Sequence, residues 1–194
     1  MIEEKDEFKL KRLGITDSKL LTPKKREALF DKIKDNYSHK IITVDCAEID
    51  DAVNGKDSLN LNWLEARKAA EIINYMKPDV VYLDCPSTNI KAFTEYVREL
   101  LDNKDVKIIS EHKADLKYVV VGAASILAKV VRDRRIVEIE RVIKKKIGSG
   151  YPSDPKTKEF LEKNYKKHPE FIRKSWASYQ NLIKKKGQSR LDTF

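Results

Sequence analysis

The chain has 194 residues, with 40 Lys and Arg against 31 Asp and Glu, a formal net charge of +9. That length suits one compact domain with a modest tail, and the basic balance favours a polyanionic partner over an acidic membrane or no partner at all. No apolar run approaches the roughly 18 residues of a membrane span, and Met1 to Lys5 lacks the apolar stretch of a signal peptide, so the expected location is the cytoplasm.

Charged residues make up 37% of the chain, so much of this charge must be solvated helix face. Cys46 and Cys85 sit in apolar, strand-like contexts without metal-ligand spacing and read as reduced intracellular thiols. Thr22-Pro23, an N-cap followed by proline at the first helical position, opens a helix whose apolar stripe is Leu29, Phe30 and Ile33. Lys40 to Cys46 is short and β-branched and predicts a strand leading into polar residues and Gly55. A longer helix follows at about 59–76. Asp79 to Asp84 is an apolar run ending in a carboxylate, the pattern of a buried parallel strand that delivers a polar group at its C-terminal end.

Ile90, Phe93, Tyr96, Val97, Leu100 and Leu101 recur at helical spacing, and Val106 to Ser110 predicts a further strand. Strand, helix, strand implies a right-handed crossover. From Lys117 to about Lys146 the chain is helical in composition, with a small, apolar and therefore buried first half, Val119 to Ala128. Gly148 to Pro155 forms a compact loop whose Asp-Pro pair starts the next helix. Two shorter helices complete the fold. The basic stretch Lys184 to Arg190 has little to bury and is expected to be mobile unless bound.

Several residue groups can carry chemistry. Glu111-His112-Lys113-Ala114-Asp115 packs two acids, an imidazole and an amine directly after a strand. Asp115 either belongs to a site or caps the following helix, and His112, without a second clustered histidine, reads as a structural hydrogen-bond partner. Asp84 and Asp115 lie at the ends of neighbouring predicted strands, so their carboxylates can converge on a hard cation, Mg²⁺ or Mn²⁺. Two-metal phosphodiester hydrolysis uses about four carboxylates, and no other pair is obvious here. Thr16-Asp17-Ser18-Lys19 and Ser125-x-x-x-Lys129 pair a hydroxyl with an amine, which suits backbone phosphate; Lys129 as a solvated helix residue and Ser125 as a packing residue is the alternative. Tyr151, on a glycine-flexed turn, can stack on a sugar and sense a ribose 2′-OH, or be structural.

These motifs form an ordered set. Asp17-Ser18-Lys19 with Leu21-Thr22-Pro23, Tyr82-Leu83-Asp84, Glu111 to Asp115, Ala123 to Val130 with Arg132-Asp133, and Gly148 to Asp154 resemble successive signatures of archaeal-type ribonuclease HII, over nearly the whole chain. The resemblance implies an α/β, ribonuclease H-like three-layer fold with a C-terminal helical extension. It divides the chain into a catalytic core over 1–146, a substrate-binding extension over 147–183 and a basic tail over 184–194. It further implies metal-assisted cleavage of RNA in RNA–DNA hybrids and 5′ to ribonucleotides embedded in duplex DNA. Asp84 and Asp115 become metal ligands and catalytic acids, Lys19, Ser125 and Lys129 phosphate holders, and Tyr151 the reader of the 2′-OH.

The family's opening strand, which runs into Asp-Glu-Ala-Gly-Arg-Gly, has no counterpart in this sequence. With that segment go two of the family's acids and a backbone clamp on the ribonucleotide. In the family that strand sits centrally in the sheet, so the expectation is a sheet without its first strands, reduced stability and a start at an internal methionine. In the tail, Gln188-x-x-Leu191-x-x-Phe194 resembles the peptide with which replication and repair proteins bind the sliding clamp. Leu191 and Phe194 would form an apolar plug and Gln188 would bond a pocket rim.

The leading expectation is therefore an endoribonuclease, monomeric, with a nucleic-acid duplex and a sliding clamp as partners. A catalytically inactive binding or clamp-tethered module is the second reading. A small-molecule α/β enzyme is disfavoured, because neither a glycine-rich phosphate loop nor a nucleophile elbow is present.

Overall fold

The computed structural model describes residues 1–15 and 20–191; the side chains of Ser58 and of 187–191 lie outside the description. The chain divides into two compact units, one of residues 1–43 and 62–132, the other of 44–61 and 133–194.

The first unit is built around two parallel strands, β1 (Val80–Asp84) and β2 (Lys107–Glu111), paired in register from Val80 with Lys107 to Asp84 with Glu111. Helix α5 (Ile90–Leu100) connects them; its N-cap Asn89 accepts the Ala92 N–H at 3.0 Å. Helix α4 (Leu61–Met76) packs Ala66, Ala70 and Ile73 with Val81, Phe93, Val97, Leu101 and Val106 into one core cluster. Phe93 and Val97 are essentially inaccessible to solvent, and burial of each stabilises by roughly 1.5–3 kcal/mol.

A second cluster in the same unit joins α1 (Glu7–Arg12), α2 (Pro23–Asn36) and the first half of α7 (Val119–Ile143) through Leu10, Leu29, Phe30, Ile33, Ile126, Leu127 and Val130. Thr22 caps α2 as its sequence predicts, accepting the Lys25 N–H at 3.3 Å. Helix α1 is too short to show a periodicity and went unpredicted.

The predicted strand from Lys40 to Cys46 does not form. Residues 38–45 carry no regular structure, and Cys46 opens helix α3 (Cys46–Val53), capped by Asp45, which accepts the Glu48 N–H at 2.8 Å. Among the described residues the sheet holds only β1 and β2, and the segment pairs with neither, so its β-branched composition finds no ladder to join. Ile41 and Ile42 instead line an apolar cavity of about 320 Å³ with Leu10, Ile33, Ile72 and Leu127.

In the second unit Ile147, Phe160, Leu161 and Ile172 form the core, with Ile136, Ile139 and Ile143 of α7 packed on it. Helix α8 (Pro155–Asn164) starts where the Asp-Pro pair predicts, and Asp154 accepts the Lys156 N–H at 2.9 Å. Asp50 of α3, 9% exposed, accepts the backbone N–H groups of Lys174 at 2.7 Å and Ser175 at 3.0 Å. Helix α9 (Ala177–Leu191) runs through the stretch expected to be a mobile basic tail, so the backbone there is helical. Lys186 helps hold it: its ammonium lies 4.8 Å from the centre of the Tyr165 ring. No helix among the described residues is long and apolar enough to cross a membrane.

Candidate active site

The two strands end side by side, so their last residues, Asp84 and Glu111, are register partners. Those two carboxylates have different fates. Glu111 is engaged: Lys117 makes a short ion pair with it and the Tyr118 hydroxyl donates to it at 2.8 Å, and these two partners hold its carboxyl below the usual carboxylate range. Tyr118 in turn stacks on Tyr82 of β1, ring centres 4.4 Å apart.

Asp84 is exposed and is held by one backbone group, the Ala114 N–H, which donates to Oδ1 at 3.1 Å. Ala114 begins the short helix α6 (Ala114–Lys117), in which Asp115 is the second residue. The chain enters α6 through Lys113 in the left-handed region, φ +57°, an unusual conformation for a side chain of that size. Asp115 stands in the first turn of α6, where a negative charge favours the helix dipole, and the carboxylate that bonds the helix start is that of Asp84. As the Nδ1–H tautomer, His112 donates to the Cys85 carbonyl, 3.0 Å away, the structural role expected of a lone histidine. Cys85 and Cys46 are both free thiols, and burial pushes each of them up.

Ser125 and Lys129 are one turn apart on α7 and therefore share a face; both are half-buried. In the second unit Tyr151 is 43% exposed on the Gly148–Asp154 loop. Lys19 and Phe194 lie outside the described residues. Gln188 and Leu191 stand on the α9 backbone, with their side chains outside the description.

A ribonuclease HII family model matches residues 1–179. The chain is 44% identical to ribonuclease HII of Pyrococcus furiosus, an alignment covering all of this chain and 88% of the relative. Among solved structures it superposes on ribonuclease H2 from Pyrococcus horikoshii with a TM-score of 0.83 and 38% identity, over 95% of this chain and 87% of that one. It also matches RNase HII of Archaeoglobus fulgidus, solved in complex with PCNA, with a TM-score of 0.79 and 32% identity, over 91% and 84% of the two chains.

The chain belongs to the ribonuclease HII family. It is a ribonuclease H-type endonuclease with the family's ribonuclease H-like fold. One acid near the strand ends escaped the reading of the sequence. Glu65 of α4 has its carboxyl raised by the apolar surroundings of the group and then by the negative charge of Asp84, although a good part of the residue is open to solvent. Spacing along the chain carries no trace of this neighbour, since it comes from an adjacent helix.

The donors at the strand ends suit a hard divalent cation, being carboxylate oxygens with Asp84 Oδ2 unbonded among the described residues. Among those residues no three His, Cys, Asp or Glu side chains gather into a closed metal cage.

Proposed function

We propose that the chain hydrolyses the phosphodiester 5′ to ribonucleotides embedded in duplex DNA, as well as RNA in RNA–DNA hybrids, with Mg²⁺ or Mn²⁺ held by Asp84 and Asp115. The observation that carries this reading is the hydrogen bond that the Ala114 N–H donates to Asp84, which joins the turn bearing Asp115 to the end of β1. When bound, a divalent cation would supply a water nucleophile at neutral pH and charge neutralisation at the phosphate. Asp84 and Asp115 are the chain's own anionic ligands for that ion. Ser125 and Lys129, with Lys19, hold backbone phosphate through a hydroxyl and cations. Tyr151 distinguishes ribose from deoxyribose through the 2′-OH.

In this proposal residues 1–146 carry the chemistry, 147–183 add substrate contacts and 184–194 tether the protein to a sliding clamp through Gln188, Leu191 and Phe194. A homologue of the same family forms a complex with PCNA, which supports that tether. The protein works as a cytoplasmic monomer.

The test is cleavage of a labelled duplex with one embedded ribonucleotide, in Mg²⁺ and in Mn²⁺, beside an Asp84→Asn control. Metal-dependent product absent from the control is expected. Duplex binding without cleavage would instead establish a binding module, and equal cutting by the control would remove Asp84 from the chemistry.

A further inference from the structure

The loop that presents Tyr151 is held from beneath by two side chains that the reaction does not otherwise use. Glu140, on the last turns of α7, has a side chain only 11% exposed. Its Oε1 accepts the backbone N–H groups of Ile147 at 2.7 Å and Gly148 at 3.3 Å, and its Oε2 receives the Lys146 ammonium at 2.9 Å. Thr157 of α8, 5% exposed, accepts the Gly150 N–H at 3.0 Å and donates to the Ile147 carbonyl at 3.0 Å. Asp154 closes the loop from its far end by accepting the Ser149 N–H at 2.6 Å.

Every backbone amide from Ile147 to Gly150 is therefore bonded to a side chain of α7, of α8 or of the α8 cap. Gly148 and Gly150 have φ of +85° and +71°, so the loop follows a path that only these anchors and glycine together allow. A loop with so many fixed amides has few conformations left, and the residue at its tip is delivered in one place. Burial alone would raise the Glu140 carboxyl, but Lys146 and the two amides outweigh it and hold the group below the usual carboxylate range.

We infer that Glu140 and Thr157 are positioning residues for Tyr151, setting the discrimination between ribonucleotide and deoxyribonucleotide without touching the substrate. This rests on the proposed reading of the 2′-OH by Tyr151. The charged carboxylate is needed because it serves two amides and an ammonium at once; a glutamine in its place must turn an N–H donor towards one of those partners.

The test measures affinities of the full chain, in an Asp84→Asn background with Mg²⁺, for labelled duplexes with one ribonucleotide or none. Glu140→Gln and Thr157→Val should each lower the ribo-to-deoxy preference on the order of tenfold, the scale of one lost charge-assisted or buried hydrogen bond. Affinity for the all-DNA duplex should stay unchanged. Thr157→Ser, which keeps the hydroxyl, should retain the preference, and adding Tyr151→Phe to Glu140→Gln should lower it no further. Loss of preference in Tyr151→Phe but not in Glu140→Gln or Thr157→Val overturns the positioning role and leaves the reading of the 2′-OH intact. Equal weakening on both duplexes also overturns it, since it marks a general structural effect. A Tyr151→Phe variant with full preference refutes the reading and the inference together.

Discussion

Replacing Asp50 by alanine removes a carboxylate that bonds two backbone amides, at 2.7 and 3.0 Å, across more than a hundred residues of sequence. Hydrogen bonds to a charged group contribute about 1.5–3 kcal/mol each, and the loss is greatest where the abandoned donor stays shielded from water. Lys174 is exposed and Ser175 half-buried, so one amide recovers a water partner more readily than the other. The expected loss is about 3 kcal/mol for alanine, towards the low end for two such bonds. Asparagine keeps one acceptor oxygen and should cost about half as much. For a chain of this size 3 kcal/mol corresponds to a fall in Tm of roughly 6–12 °C. Urea unfolding followed by circular dichroism and tryptophan fluorescence measures the difference, with an unchanged slope showing that the folded state has kept its compactness. An alanine variant that unfolds within about 0.5 kcal/mol of the parent would refute the reasoning, because surface substitutions fall in that range.

Three further outcomes are expected. Gly148→Ala puts a Cβ 2.5 Å from Asp154 Oδ2 and 2.8 Å from the Lys156 Cβ at a φ of +85°, so it should destabilise the loop by about 1–3 kcal/mol, read by thermal melting, and lower the ribonucleotide preference in the same binding assay. Ala128→Leu adds apolar side chain at the wall of the cavity bounded by Leu10, Ile33 and Ile72, and should raise stability by about 1 kcal/mol while reducing the fluorescence of an added hydrophobic dye. Acidification should loosen the second unit: Glu140 has a folded-state carboxyl held below its unfolded value, so the unfolded chain takes up the proton first, and the stability this group contributes, present above the ordinary carboxylate range, declines as pH falls through and below that range. Stability curves of parent and Glu140→Gln should converge at low pH; curves that remain parallel would exclude the linkage.

The elements that were legible in the sequence share a property: each states its burial locally. β1 and β2 are apolar runs ending in polar residues, α2 and α8 announce themselves with Thr22-Pro23 and Asp154-Pro155, and the first half of α7 is small and apolar throughout. The segment from Lys40 to Cys46 carries the same β-branched composition, but pairing depends on a neighbouring edge, which composition does not report. α3 was missed although Asp45 and Glu48 stand at capping spacing, a signal the apolar run before them overshadowed. Asp84 was legible as the last residue of a strand, whereas Asp115, expected at the end of a neighbouring strand, stands in α6, beyond the Glu111 end of β2. Glu65 near that strand end, and the structural acids Asp50 and Glu140 of the second unit, were not legible, because each meets groups brought to it by folding, and a lone acid on a helix looks like any solvated charge until its partner is known. The helical backbone through 184–191 was hidden by a composition that reads as tail.

The hydrogen bond from the Ala114 N–H to Asp84 couples the acid at the end of β1 to the turn that carries Asp115. A change at position 84 alters charge and, in the same stroke, releases the start of the turn that holds Asp115, so alanine there is a double lesion while asparagine keeps an oxygen for the amide and is nearly a pure change of charge. The charge at 84 can therefore be removed with the architecture around it kept, provided the replacement still offers an acceptor oxygen to the Ala114 N–H.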